Sequence, residues 1–131
     1  MIIFTDGSIN HKDNPNTEEQ QAKTGTGYGG YGSLIMNKTT KKVECYTTGQ
    51  INTNDAQKTE LVGIEQSLQM IEEHQNKTKQ NQYTILCDCK GAVQYINDKY
   101  TIPKKYDQIC QNILEQIHKL PVSYTHLRAH E

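Results

Sequence analysis

Three carboxylates stand out by their place in the pattern: Asp6, Glu60 and Asp88. Asp6 follows the β-prone run Ile2-Ile3-Phe4-Thr5, Asp88 follows Tyr83-Thr84-Ile85-Leu86-Cys87, and Glu60 lies about one turn into an amphipathic stretch. If the two runs are neighbouring parallel strands, both aspartates reach the same sheet edge. A carboxylate one turn into a helix packed there points at both. Three converging carboxylates repel and raise one another's pKa, so the grouping makes chemical sense with divalent cations between them. Oxygen donors suit Mg²⁺ or Mn²⁺ rather than zinc. Two such ions about 4 Å apart hydrolyse a phosphodiester, one activating water and the other stabilising the leaving oxygen. The plainer alternative stands beside this: the chain holds 15 Asp and Glu, most of them solvated, and a strand-end aspartate often serves as a turn former or a helix cap.

The elements that must position these residues alternate in type. Ile2 to Thr5 reads as a strand ending at the turn-forming triplet Asp6-Gly7-Ser8, followed by a polar loop from Asn10 to Thr26. Tyr28 to Met36 and Lys42 to Thr48 read as strands of a hairpin joined by Asn37-Lys38-Thr39-Thr40-Lys41. Leu61, Ile64, Leu68 and Ile71 step as one face of a helix from Asp55 to about Asn76, capped by Asn54 or Asp55. Tyr83 to Cys87 is a strand, and Gly91 to Ile96 a short helix. Pro103 opens a further helix whose apolar face is Tyr106, Ile109, Ile113, Leu114 and Ile117. Val122 to Leu127 alternates as a last strand. The order β-β-β-α-β-α-α-β predicts an α/β fold with a mixed sheet, helices on its faces and ligands at strand ends.

Composition bounds the function. A chain of 131 residues, 34% hydrophobic and 22% charged, fits a single domain, here 1–131. No apolar run approaches the ~20 residues of a membrane span, and the opening Met1-Ile2-Ile3-Phe4 is too short for a signal peptide, so the expectation is a cytoplasmic protein with no membrane partner, a monomer. Met1 directly before the first strand suggests a free-standing N-terminus. The cysteines at 45, 87, 89 and 110 lack paired zinc-site spacing and read as free thiols. A net charge of −1 excludes binding to nucleic acid through a general basic excess and leaves a local patch, backbone amides or metal ions.

Four segments, in order, resemble the type 1 ribonuclease H family. They are Ile3-Phe4-Thr5-Asp6-Gly7-Ser8, the glycine-rich Gly27-Tyr28-Gly29-Gly30-Tyr31-Gly32-Ser33-Leu34, Asn52 to Leu61, and Leu86-Cys87-Asp88-Cys89-Lys90-Gly91-Ala92-Val93. The resemblance implies a ribonuclease H-like five-stranded mixed sheet and hydrolysis of the RNA strand of an RNA–DNA hybrid by two-metal-ion catalysis. It implies Asp6, Glu60 and Asp88 as catalytic metal ligands for Mg²⁺, with Mn²⁺ as substitute. It also implies substrate contacts from Gly7 and Ser8, where the backbone approaches the RNA, from Gln57, where the family often reads the minor groove and 2′-hydroxyls, and from Lys90. Telling the strands of a hybrid apart requires sensing the 2′-hydroxyl, so sequence preference is expected to be slight.

Three departures qualify the resemblance. The loop from Asn10 to Thr26 is longer than the family's usual turn, and the stretch from Lys99 to Lys105 lacks the tryptophan-bearing basic protrusion of some bacterial members, leaving Lys99, Lys104 and Lys105 as a modest patch. The family's last strand leads to a histidine and glycine and then a helix with a fourth carboxylate. Here Tyr124-Thr125-His126-Leu127-Arg128-Ala129-His130 resembles that strand and histidine, Glu131 stands for the glycine, and no fourth carboxylate follows in the sequence. The run from Pro121 to Glu131 also resembles a translated cloning tail, in which case the match of His130 is coincidental and His126 and His130 belong to a frayed end. Two rival readings remain open: a different nuclease of the wider superfamily, and a non-catalytic nucleic-acid-binding remnant.

Overall fold

The computed structural model of the chain describes residues 1–10, 27–97 and 102–120, and the backbone of 124–129. The expected loop through residues 11–26, together with Lys99, His130 and Glu131, lies outside the described residues. Strands β1 (Ile2–Asn10), β2 (Tyr28–Met36) and β3 (Val43–Asn52) are followed by helix α1 (Ala56–Thr78) and strand β4 (Gln82–Cys87). Helix α2 (Lys90–Asn97), a 3₁₀ turn (Lys104–Tyr106), helix α3 (Asp107–Lys119) and strand β5 (Tyr124–Ala129) complete the order expected from sequence. The strands form one five-stranded sheet in the order β3-β2-β1-β4-β5. β1 and β2, and β2 and β3, are antiparallel, whereas β4 runs parallel to both β1 and β5. The stretch that resembles a cloning tail therefore supplies the backbone of an edge strand.

The central strands β1, β2 and β4 bury alternate residues against α1, as the two-residue pleat requires. Ile3, Ile35, Tyr83, Ile85 and Cys87 meet Leu61, Ile64, Leu68 and Ile71 of the helix, all of them at most 1% exposed. The stepping by three and four that marked this helix face in the sequence is the core contact itself. Asp55 caps α1 by accepting a bond from the Lys58 N–H at 3.1 Å, and the helix ends at Lys79 in the left-handed conformation. Inside this layer the Ser33 and Ser67 Oγ atoms lie 2.6 Å apart and bond each other, whereas the buried Thr5 hydroxyl has no hydrogen-bond partner among the described residues. All four cysteines are free.

One expectation is corrected. Asp6-Gly7-Ser8 is no turn: β1 runs on to Asn10, pairing Asp6 with Gly32, Gly7 with Tyr31 and Ser8 with Gly30. Turn propensity is local, and here the cross-strand ladder to β2 overrides it. The sheet face opposite α1 carries an open cleft of about 520 Å³ lined by strand residues and Asp88. Leu86, Phe4, Leu34 and Tyr46 stand there in one cross-strand row, with Tyr46 75% exposed.

Candidate active site

β1 pairs with β4 only over Ile2 to Thr5, the last partners being Thr5 and Cys87. Beyond that point β4 bends away at Asp88 while β1 continues along β2. Asp6 and Asp88 are thus the next positions in register on two parting parallel strands, both exposed and both lining the open cleft. The Asp6 carboxylate accepts a bond from the Gly7 N–H at 2.9 Å. On the other side of Asp6 a shallow groove follows Gly7 and Ser8 between the glycine-rich β2 and Gly49 of β3.

Glu60 comes from the helix side. The residue is 8% exposed, and its carboxyl is pushed up to about 7, first by burial and then by the nearby Asp6 charge, against the lowering effect of the Gly7 N–H. The Asp6 and Glu60 carboxyl groups lie within hydrogen-bonding reach of each other, and the Cys87 thiol donates to Glu60 Oε2 at 3.6 Å. Burial pushes that thiol up to about 12, so it stays protonated and keeps its donor. The first turns of α1 reach this depth because Gly7 and Gly29 beneath them carry no side chains. A Cβ on Gly7 would fall 3.0 Å from Thr59 Cγ2 and 3.1 Å from the Glu60 nitrogen, and one on Gly29 would fall 2.2 Å from Thr59 Oγ1.

The three carboxylates expected from sequence are therefore joined in two steps: Glu60 meets Asp6, and Asp6 shares its cleft with Asp88. Among the described residues no three His, Cys, Asp or Glu groups converge closely enough to hold a metal ion. The donor set nevertheless suits a hard divalent cation, because a buried carboxyl whose ionisation is opposed by burial and by a second carboxylate is relieved by one. Mg²⁺ commonly takes only one or two protein carboxylates, together with water and substrate phosphate.

Of the expected substrate contacts, Gly7 and Ser8 border the groove, and exposed Lys90 is the first residue of α2. Gln57 sits in the first turn of α1, where its Oε1 accepts a bond from Tyr95 Oη at 3.3 Å. Nearby, Tyr106 Oη lies 2.7 Å from both carboxylate oxygens of the capping Asp55, and Lys105 Nζ lies 3.3 Å from Oδ2. Cys87, Tyr95 and Tyr106 carry no site role in the sequence reading, where Cys87 is a free thiol and Tyr106 part of an apolar helix face. One signal is available for Cys87: strand alternation turns it away from Asp88 towards the helix.

No known protein-family profile matches the chain, and no curated protein matches it in sequence. Solved structures do match. The LC11 ribonuclease H1 from compost, solved in complex with an RNA/DNA hybrid, superposes with a TM-score of 0.76 at 13% identity, over 98% of this chain and 83% of that one. This chain has the ribonuclease H fold. The N-terminal ribonuclease H domain of a Mycobacterium tuberculosis protein matches with a TM-score of 0.73 at 13% identity, over 98% and 80% of the two chains. Ribonuclease H1 of the archaeon Halobacterium salinarum matches with a TM-score of 0.72 at 8% identity, over 98% and 83%. At such identities the ribonuclease H likeness concerns the fold, which is the mixed sheet and helix order expected from sequence.

Proposed function

We propose that this protein hydrolyses the RNA strand of RNA–DNA hybrids endonucleolytically in a divalent-cation-dependent reaction. The observation that carries the reading is the Asp6–Glu60 carboxyl pair at the parting of β1 and β4, with Asp88 directly after the end of β4 in the same cleft as Asp6. Asp6, Glu60 and Asp88 would hold Mg²⁺, or Mn²⁺ in its place; a cation bound there supplies charge neutralisation at the scissile phosphate and a water acidic enough to attack it. The chain itself supplies placement. Gly7 and Ser8 let a nucleic-acid backbone come close to main chain, while Gln57 and Lys90, in the first turns of α1 and α2, offer an amide and an ammonium to the sugar–phosphate edge. The hybrid bound to the LC11 enzyme supports the substrate class.

A second reading is hybrid binding without cleavage. It is favoured by the absence, among the described residues, of three metal-ligating groups close enough to share an ion. A labelled hybrid incubated with the chain in Mg²⁺ and in Mn²⁺ separates the two. The expected result is weak binding and slow cutting in Mg²⁺, with faster cutting in Mn²⁺, which tolerates looser coordination. Asp6→Asn, Glu60→Gln and Asp88→Asn should each lower cleavage by about 100-fold or more. Hybrid bound but left intact in both metals establishes the binding reading, and hybrid neither bound nor cut refutes both.

A further inference from the structure

Gln57 is the one expected substrate contact whose side chain is gripped by a different element. Its Oε1 accepts the Tyr95 hydroxyl of α2 at 3.3 Å. Its Nε2 occupies the place where a side chain on Gly91 would stand: a Cβ there would fall 2.3 Å from that nitrogen and 4.0 Å from Tyr95 Oη. Gly91 and Tyr95 are four residues apart on one helix, so the gap left by the first and the hydroxyl of the second open on the same face. Gly91 lies inside α2 without positive φ, so backbone conformation does not call for glycine there. The Tyr95 ring is itself fixed, its centroid 5.9 Å from that of buried Tyr106, whose hydroxyl is tied to the cap of α1.

From this geometry we infer that Tyr95 and Gly91 are positioning residues for Gln57: together they form a slot that holds its amide for the sugar edge of the nucleic acid. The inference rests on the hybrid-binding reading and deepens it. With Oε1 occupied by the tyrosine and Nε2 seated over the bare Gly91, the slot fixes the orientation of the amide, whose nitrogen carries two hydrogens to donate. A donor so placed meets the 2′-hydroxyl of a ribose or the acceptor edge of a base in the minor groove, and it does so without reordering a flexible glutamine on binding.

Gly91→Ala and Tyr95→Phe test the slot in opposite structural directions. Alanine at 91 fits the helix better than glycine and should hold or raise the melting temperature, yet its methyl evicts the Gln57 amide. Phenylalanine at 95 keeps the ring contact with Tyr106 and removes the hydroxyl alone. Both should weaken hybrid binding, read by fluorescence anisotropy with a labelled RNA–DNA duplex, by about 3- to 10-fold, the worth of one hydrogen bond. In cleavage the loss should fall on KM rather than kcat, the mark of lost uniform binding. Both should also shift the Gln57 side-chain amide resonances of the free protein. In a Gln57→Ala background neither substitution should weaken binding further.

Wild-type affinity in both variants, or the same loss with Gln57 already removed, overturns the slot while leaving the hybrid-binding reading intact. An unaltered chain that binds no hybrid overturns that reading and the slot's function with it, and the Gln57 resonances then report only on the contact itself.

Discussion

Cys87 Sγ lies 3.6 Å from Glu60 Oε2 on the helix side of β4, while the next residue, Asp88, lines the cleft on the other side. One strand end thus supports the buried carboxyl with a neutral donor and presents an exposed carboxylate, and Asp6 on the neighbouring strand links the two.

The buried state of Glu60 makes stability depend on pH in an unusual direction. Its carboxyl ionises near 4.5 in an unperturbed setting and at about 7 in the folded chain. Between those values the folded state binds the extra proton, so stability falls as pH rises through this window and the loss is complete above it. The full effect is of order 3 kcal/mol. Urea unfolding at pH 5 and pH 8 without divalent cations should show the lower midpoint at pH 8. Glu60→Gln should remove the difference, and Mg²⁺ should restore the pH 8 midpoint of the unaltered chain. A midpoint that rises from pH 5 to pH 8 in the unaltered chain but not in Glu60→Gln contradicts the assignment.

The seat of α1 depends on missing side chains. Gly29→Ala places a methyl 2.2 Å from Thr59 Oγ1 and 3.1 Å from Thr53 Cγ2, and should cost roughly 1–3 kcal/mol of stability as the helix is pushed outward. Gly30→Ala, one residue along the same strand, meets nothing nearer than the Gly49 carbonyl oxygen at 3.9 Å and should stay within about 0.5 kcal/mol of the parent. Equal destabilisation of the two by chemical unfolding would show that close packing at Gly29 is not the cause.

The cap of α1 is held by a tertiary contact. Burial opposes ionisation of Asp55, but hydrogen bonds from Tyr106 and the Lys58 N–H outweigh it and keep the carboxyl below its ordinary range. Tyr106→Phe removes the hydroxyl bonded to both carboxylate oxygens and should destabilise the fold by about 1–2 kcal/mol. Asp55→Ala, which loses the cap as well, should cost at least as much. In thermal melts, a Tyr106→Phe variant as stable as its parent would show the contact to be energetically idle.

Hybrid affinity should be modest and steeply dependent on salt, because a net charge of −1 leaves phosphate contact to a few lysines. Lys90→Ala should weaken binding and lower the slope of log affinity against log salt by about one. Titrations at two or more salt concentrations read this directly, and an unchanged slope would place Lys90 away from the phosphates.

Much of the framework was legible in local pattern. Leu61, Ile64, Leu68 and Ile71 marked the core face of α1 because apolar spacing along a helix is a one-dimensional record of which side is buried. Tyr28 to Met36 was recognisable as a strand from its own residues, and Asp55 as a cap from its place before the periodic run. The sequence also determined the chemistry available, three carboxylates at element ends and no paired cysteines. Tertiary structure decided how they meet. Asp6-Gly7-Ser8 has the composition of a turn but stays extended, because a ladder to residues 30–32 outweighs local preference. Carboxylates that look alike in sequence differ in the fold: Glu60 is buried against Asp6 and Cys87, while Asp88 is exposed, since strand register and helix depth set those distances and neither is written in spacing along the chain. The slot around Gln57 is likewise invisible in sequence, because the gap at Gly91 and the hydroxyl of Tyr95 acquire meaning only when α2 is laid beside the first turn of α1.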